Sequence, residues 1–154
     1  GVFFFFFVYF YSFWSDHAQA GNGQLFFARY EGQVVAGAFI THLGHKALYK
    51  DGGSGREYAN VQAPYALQWG IMKWLKEQGI TEYDLHGTPP ADKIDDPAHP
   101  LHGLARFKTG FNDHVTEYIG TYDLPLTAKY KQWSLYGECL VTGFVHRIKK
   151  ELFY

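Results

Sequence analysis

Residues 63–78, APYALQWGIMKWLKEQ, predict the helix around which the rest of the fold can be placed. Apolar side chains recur there at intervals of three or four, the spacing of one face of an α-helix. Pro64 suits the first helical turn, and Gly79 stands where a helix commonly ends. The apolar stripe of this amphipathic helix consists of Leu67, Ile71, Trp74 and Leu75.

Short β-rich segments lie on both sides of this helix in the sequence. Three of them precede it and are separated only by turn signals, which favours an antiparallel meander. A strand, a long proline-containing loop and two further helices with a strand between them follow it. This order predicts a mixed α/β fold, with helices on both faces of a mixed central sheet. The predicted strands are residues 24–30, 34–42, 46–51, 81–85 and 114–123, the loop is 86–100, and the later helices are 101–109 and 127–152.

The beginning of the chain is almost wholly apolar. The thirteen residues 2–14 are fewer than the roughly 20 that span a bilayer as a helix. We interpret residues 1–23 as an apolar helical stub of a larger parent protein, with a helix at 8–20, and its apolar side chains as buried against a missing partner domain. Residues 24–154 are expected to form the main domain.

Charge and cysteine content limit the classes of function. Lysine and arginine number 14 against 15 aspartate and glutamate, giving a formal net charge of −1, which argues against an extended surface that follows nucleic-acid phosphates. Contact with RNA is therefore expected to be local. Cys139 is the only cysteine, so no internal disulfide can form, and a reducing cytoplasm fits best.

Five phrases from Tyr49 onward resemble the FemABX family. They are YKDGGSG, APYALQWGIMKWLKEQG, YDLHG, GLARFKTGF and EYIGTYDLPL, and their order and spacing matter more than any one of them. The family's members contain two related acyltransferase-like (GNAT-like) subdomains. The chain is similar to the second of these, and the resemblance implies a GNAT-like fold at 24–154 and a missing N-terminal GNAT-like subdomain.

The resemblance also implies an activity. Members of the family transfer an amino acid from aminoacyl-tRNA to the stem-peptide amine of a peptidoglycan precursor, which is either UDP-MurNAc-pentapeptide or the lipid-linked precursor lipid II. The resemblance implies no metal and no organic cofactor, and it implies aminoacyl-tRNA as the co-substrate. A cytoplasmic location follows, with peripheral membrane contact where the acceptor is lipid-linked.

The resemblance places five residues at the site. Lys108 matches a lysine near the reacting centre, where a fixed cation can stabilise the developing oxyanion or the leaving ribose oxygen. The backbone carbonyl of Phe107 can orient the attacking amine. Tyr9 matches a tyrosine that contacts the precursor, while Tyr49 and Asp51 lie where the family lines its substrate cleft.

Simpler interpretations stand beside these roles. Lys108 can be a helix-end lysine in water, Tyr9 a core residue, and Asp51 with the following Gly52-Gly53 an ordinary turn. One departure from the family is clear. Members commonly read Gly-Ile-x-x-Arg-x-x-x-Tyr-Phe, whereas this chain has Phe5 at the arginine position, so a phosphate clamp is lost or supplied elsewhere.

Two other classes of function remain open. An acyl-CoA-dependent N-acyltransferase shares the fold, but it needs a glycine-rich turn whose amides bind the CoA diphosphate, and Pro64 removes one such amide. A non-catalytic, substrate-binding fragment is the second alternative. The histidines and aspartates of the 86–102 region match no closed set of zinc ligands.

Overall fold

The chain folds into two compact units, Gly1–Thr116 and Glu117–Tyr154. The computed structural model describes residues 2–120, 122, 124–137, 140, 141 and 143, with side chains from residue 8 onward. Short 3₁₀ turns lie at Ala59–Val61 and Ala91–Lys93. The helices and strands are α1 (Val2–Gln19), β1 (Gly23–Tyr30), β2 (Gln33–Leu43), β3 (Lys46–Ser54), α2 (Ala63–Glu77), β4 (Glu82–Asp84), α3 (His102–Thr109) and α4 (Ala128–Gln132).

Within the described residues the four strands form one mixed sheet in the order β1-β2-β3-β4. The first three pair antiparallel, and β4 pairs parallel with β3 after the chain has crossed over through α2. The β1–β2 turn has positive φ at both Glu31 (49°) and Gly32 (81°), as a two-residue hairpin turn of type I′ requires. The predicted meander and mixed α/β class are confirmed.

Helix α2 covers one face of the sheet. Its side chains Ile71 and Leu75 pack on Ala38 and Ile40 of β2 and Ala47 of β3, and all five are buried. Full burial of an aliphatic side chain the size of Ile71 or Leu75 contributes about 1.5–3 kcal/mol, so this cluster contributes substantially to the stability of the first unit.

The end of α2 is also the one that the sequence predicts. Gly79 has φ 77°, its amide donates to the carbonyl of Lys76 (3.1 Å), and the Ile80 amide donates to Leu75 (3.0 Å). This pair of bonds is the Schellman arrangement, which ends a helix at a left-handed glycine. Chain direction therefore reverses directly into β4.

Helix α1 covers the opposite face. Phe39 points away from the α2 cluster, and its ring lies 5.5 Å from the Trp14 ring and 6.1 Å from the Phe13 ring. Helices therefore lie on both faces, as expected. The helix begins at Val2, earlier than the predicted residue 8. No helix in the described part of the chain is long and apolar enough to cross a membrane.

A β-bulge at Lys50 separates two neighbouring side chains. Ile40 pairs with Tyr49 and Phe39 pairs with Asp51, so Lys50 is the extra residue on β3. Tyr49 therefore shares the α2 face with Ile40, and Asp51 shares the α1 face with Phe39. Without the bulge, residues 49 and 51 would lie on the same face.

The glycines after Asp51 form part of a strand. Their composition predicts a loop, yet Gly52, Gly53 and Ser54 pair with Ala38, Gly37 and Ala36, respectively. That prediction is wrong because a partner strand supplies the hydrogen bonds that local composition does not reveal. The interpretation of Asp-Gly-Gly as a turn is wrong for the same reason.

The predicted strand at 114–123 is not formed in its described residues. Residues 114–120 and 122 have no ladder partner among the described residues, and Tyr118 and Ile119 are largely exposed. Gly120 has φ 93°, which interrupts an extended backbone. The alternating pattern reflects β propensity alone, and propensity cannot supply a neighbouring strand.

The last predicted helix begins where expected. The Thr127 hydroxyl accepts a 3.1 Å hydrogen bond from the Tyr130 amide, which caps α4. The helix then widens into a π-helical turn at Trp133–Gly137. The rest of the prediction, from 144 to 152, lies outside the described residues, as does Cys139.

Candidate functional site

A groove of about 240 Å³ opens on the α2 face of the sheet. Strands β2 and β3 form its floor, and α2 and α3 supply its sides. Four of the five predicted site residues are on these elements, and two of the four, Tyr49 and Phe107, line the groove directly. The lining residues are Ala36, Gly37, Tyr49, Gly52, Gly53, Ser54, Pro64, Leu67, Gln68, Leu104 and Phe107.

Lys108 is held beside this groove by backbone carbonyls. It lies three residues after Ala105 on α3, so both face inward, and only 6% of Lys108 is exposed. Its ammonium donates to the carbonyl of His86 and, at 2.8 Å, to that of Gly87. The interpretation of Lys108 as a solvated helix-end lysine is therefore wrong.

The two carbonyls belong to a strained turn. His86 has φ 50° and Gly87 has φ 67°, both left-handed, a conformation that costs a non-glycine residue about 1–2 kcal/mol. The carboxylate of Asp84, at the end of β4, accepts a 2.7 Å hydrogen bond from the His86 amide. We call residues His86 and Gly87, capped in this way, the 86–87 turn.

Opposing effects act on the charge of Lys108. Burial lowers the pKa of its ammonium, and the nearby negative charge of Asp84 raises it. The ammonium also lies 6.0 Å from the centre of the Tyr49 ring, within range of a cation–π attraction. Lys108 is thus influenced by the acidic side chain of Asp84 and lies near the aromatic ring of Tyr49, which lines the groove.

A buried polar network lies behind Tyr49. Gln68 of α2 is only 1% exposed, and its side-chain oxygen accepts a 2.7 Å hydrogen bond from the Tyr83 hydroxyl. Burial is the main cause that raises the pKa of Tyr49 and of Tyr83, so both phenols stay protonated at neutral pH. Tyr49 therefore contributes a neutral hydroxyl to the lining of the groove.

The ring of Phe107 has a structural role. It meets the Tyr65 ring edge to face at 4.9 Å and the Phe111 ring at 5.5 Å. The Phe107 carbonyl lies in the last turn of α3, where helical carbonyls have no partner within the helix. The Phe111 amide donates to the Lys108 carbonyl instead, at 3.0 Å.

The structure does not bring Asp51 and Tyr9 to this groove. Asp51 accepts a 3.1 Å hydrogen bond from the Trp14 indole on the α1 face, and Lys50 lies 3.5 Å from the same carboxylate. Tyr9 is half exposed on α1 and packs on Phe13. Their substrate-binding roles stay predictions.

Sequence reasoning did not single out Gln68 as a site residue. A signal was present, because Gln68 occurs three residues before Ile71 and seven before Leu75, on the face of α2 that the apolar stripe defines. A glutamine at such a position is expected to need a buried partner. Nothing in the sequence shows that the partner is Tyr83.

We expect Gly52→Ala to disturb the groove. A Cβ at residue 52 would lie 1.8 Å from the Tyr49 hydroxyl, so the phenol must move. Overpacking of this kind costs about 1–3 kcal/mol, measurable by urea unfolding. Gly53→Ala is the matched control, because its Cβ meets nothing within 4 Å. Equal stabilities for the two variants would contradict the position of Tyr49.

The sequence of the chain, including the residues of the groove, matches a known protein family. The model of the FemAB family matches residues 15–136, most of the chain. The chain belongs to the FemAB family. The match includes every strand of the sheet and all the groove residues, and it confirms the resemblance seen in the sequence.

One curated relative of this FemAB-family chain is a lipid II:glycine glycyltransferase from Staphylococcus saprophyticus subsp. saprophyticus. It is 33% identical over 102 residues, which are 66% of this chain and 24% of that protein. The chain therefore spans about a quarter of the length of this relative.

Two solved structures share the fold. One is an aminoglycoside acetyltransferase, meta-AAC0020 from an uncultured soil metagenomic sample, with a TM-score of 0.50 at 17% identity. The match covers 68% of this chain and 66% of the acetyltransferase chain. A ribosomal-protein-alanine N-acetyltransferase from Brucella melitensis biovar Abortus 2308 has a TM-score of 0.50 at 12% identity, with coverages of 73% and 75%. Identity this low shows the fold alone, and the GNAT-like fold is confirmed.

Proposed function

We propose that the chain is part of an aminoacyltransferase that moves an amino acid from aminoacyl-tRNA to the stem-peptide amine of a peptidoglycan precursor. The observation that carries the proposal is the Lys108 ammonium, fixed by two carbonyls beside a groove of about 240 Å³. Membership of the FemAB family and the name of the glycyltransferase relative support it. The acceptor is UDP-MurNAc-pentapeptide or lipid II.

The reaction is the aminolysis of an ester. The amine nitrogen attacks the carbonyl carbon of the aminoacyl group, a new C–N bond forms, and the C–O bond to the tRNA ribose breaks. The amine loses a proton, and the ribose oxygen gains one. Negative charge develops on the carbonyl oxygen in between, and a fixed cation stabilises it in the manner of an oxyanion hole.

The residues of the groove suit separate parts of this step. Lys108 supplies the cation, and the Phe107 carbonyl accepts a hydrogen bond from the attacking amine. The neutral Tyr49 hydroxyl, in the floor of the groove, binds a polar group of the precursor. In this proposal none of these roles requires a metal or an organic cofactor, and aminoacyl-tRNA is the co-substrate.

The remaining parts of the proposal concern the whole protein. A second GNAT-like subdomain, N-terminal to this one, would complete the substrate cleft, and a lipid-linked acceptor would bring the enzyme to the cytoplasmic surface of the membrane. Alone, the chain would bind substrate without catalysing transfer.

A CoA-dependent acyltransferase is the second candidate, since acetyltransferases share this fold. Such enzymes bind a diphosphate with the free amides at a helix N-terminus. At the start of α2, Pro64 has no amide hydrogen and the Tyr65 amide donates to the Gln62 carbonyl at 3.0 Å. This geometry favours the aminoacyl-tRNA donor.

The donor can be tested with labelled substrate. The complete protein containing this chain is incubated with precursor and tRNA charged with a radioactive amino acid, and label in the precursor is counted. We expect incorporation that ribonuclease treatment of the charged tRNA abolishes. Precursor that gains no label from any charged tRNA would contradict the proposal.

A further inference from the structure

The 86–87 turn, whose carbonyls bind Lys108, must itself be held in place. The 86–87 turn carries two consecutive left-handed residues, one of them His86, which is not a glycine. Strained backbone of this kind persists only where surrounding contacts hold it in place. Among the described residues, one such contact comes from a side chain: the Asp84 carboxylate accepts a 2.7 Å hydrogen bond from the His86 amide.

The geometry of the 86–87 turn determines the direction of the N–H donors of Lys108. An ammonium has three N–H donors and no acceptor. Two of these donors point to the His86 and Gly87 carbonyls, so the turn fixes the direction of the third. A neutral amine would keep both carbonyl bonds but would present a lone pair in that third direction, and a lone pair cannot stabilise negative charge.

The charges around Lys108 decide which of these forms is present. Asp84 approaches from the end of β4, Tyr49 from β3 is a protonated phenol, and His86 contributes its backbone carbonyl. Burial disfavours the ammonium, and Asp84 is the group that opposes burial. Asp84 thus acts on Lys108 by two routes, through the backbone of the turn and through its charge.

We propose that Asp84 is a positioning residue for Lys108: its hydrogen bond to the His86 amide aims the two carbonyls of the 86–87 turn at the ammonium. The negative charge of Asp84, which raises the pKa of the ammonium against the effect of burial, supports the same assignment. The inference rests on the proposed function only for its effect on catalysis. Its structural part concerns the chain alone.

Two substitutions separate the two routes. Asp84→Asn keeps an oxygen that can accept from the His86 amide but removes the charge, so Lys108 keeps its place and loses its proton at lower pH. Asp84→Ala removes the bond as well, so the turn is released and Lys108 loses its fixed direction. Misplacement of a catalytic group by about 1 Å can cost roughly 10²-fold in rate.

The direct readout is an NMR titration of the Lys108 side chain, followed through its Cε resonance, which needs no substrate. We expect the midpoint to move to lower pH in Asp84→Asn, and the resonance itself to change in Asp84→Ala. Asp16→Asn, which removes an exposed carboxylate from α1, is the matched control and should leave Lys108 unchanged. Midpoints that are identical in wild type, Asp84→Asn and Asp84→Ala would overturn the inference.

Kinetics of the complete protein then separate this inference from the proposed function. We expect the fall in kcat on the alkaline side to begin at lower pH in Asp84→Asn, and kcat of Asp84→Ala to drop about 10²-fold. An unmoved alkaline limb in Asp84→Asn would overturn the role of the charge. If removal of the Lys108 amine leaves the rate unchanged, the proposed function of Lys108 fails instead, while the titration result stands.

Discussion

Replacing Lys108 with methionine is expected to lower kcat by about 10²–10³-fold, the usual cost of removing one group that stabilises an oxyanion. Methionine keeps an unbranched apolar chain of similar length but has no N–H donor. The His86 and Gly87 carbonyls then lose their partner, and the developing charge loses its cation. The loss should fall on kcat rather than on KM, because the cation acts in the transition state.

A matched variant and a fold measurement make this result interpretable. Lys73 is an exposed lysine on α2, so Lys73→Met makes the same chemical change away from the groove and should leave kcat unchanged. Circular dichroism and urea unfolding show whether Lys108→Met is folded under assay conditions. A folded Lys108→Met protein with wild-type kcat would contradict the placement of Lys108 at the reacting centre.

Ile71→Ala is expected to have the largest effect on stability. Ile71 is fully buried between α2 and the sheet, against Ala38, Ile40 and Ala47. Truncation to alanine removes buried apolar surface and leaves a cavity, which together cost about 2–5 kcal/mol. That is a large fraction of the roughly 5–15 kcal/mol by which a domain is stable. The midpoint of urea unfolding should fall accordingly.

Leu43→Ala is the control for this change. Leu43 is 81% exposed at the end of β2, so its truncation removes little buried surface. We expect its unfolding free energy to stay within about 0.5 kcal/mol of wild type. If Ile71→Ala were no more destabilising than Leu43→Ala, the packing of α2 on the sheet would be wrong.

The order of elements could be predicted because local signals agreed with the tertiary structure. The stripe from Leu67 to Leu75 gave the helix and its buried face, and Gly79 gave its end. The hairpin at Glu31 and Gly32 is equally local. The sequence pattern failed where strand formation depends on pairing with a distant strand. Residues 52–54 pair with β2 although two of them are glycines. Residues 114–120 pair with no described strand although their apolar and polar residues alternate.

The candidate site was only partly predictable. Lys108 and Phe107 came from the resemblance to a family, since a lysine near a helix end is otherwise ordinary. Tyr49 and Asp51 lie on opposite faces of the sheet because of the bulge at Lys50, and nothing in the local composition predicts that bulge. The 86–87 turn depends on positive φ at His86, a conformation that is uncommon for residues other than glycine and that no local sequence signal marks here.

The most direct test of the account offers both donors in one reaction. The complete protein is given a stem-peptide precursor together with charged tRNA and acetyl-CoA, and the product is weighed by mass spectrometry. We expect a precursor heavier by one aminoacyl residue, formed by the wild-type protein and greatly reduced in Lys108→Met. A precursor heavier by an acetyl group would contradict it and would identify a CoA-dependent acyltransferase.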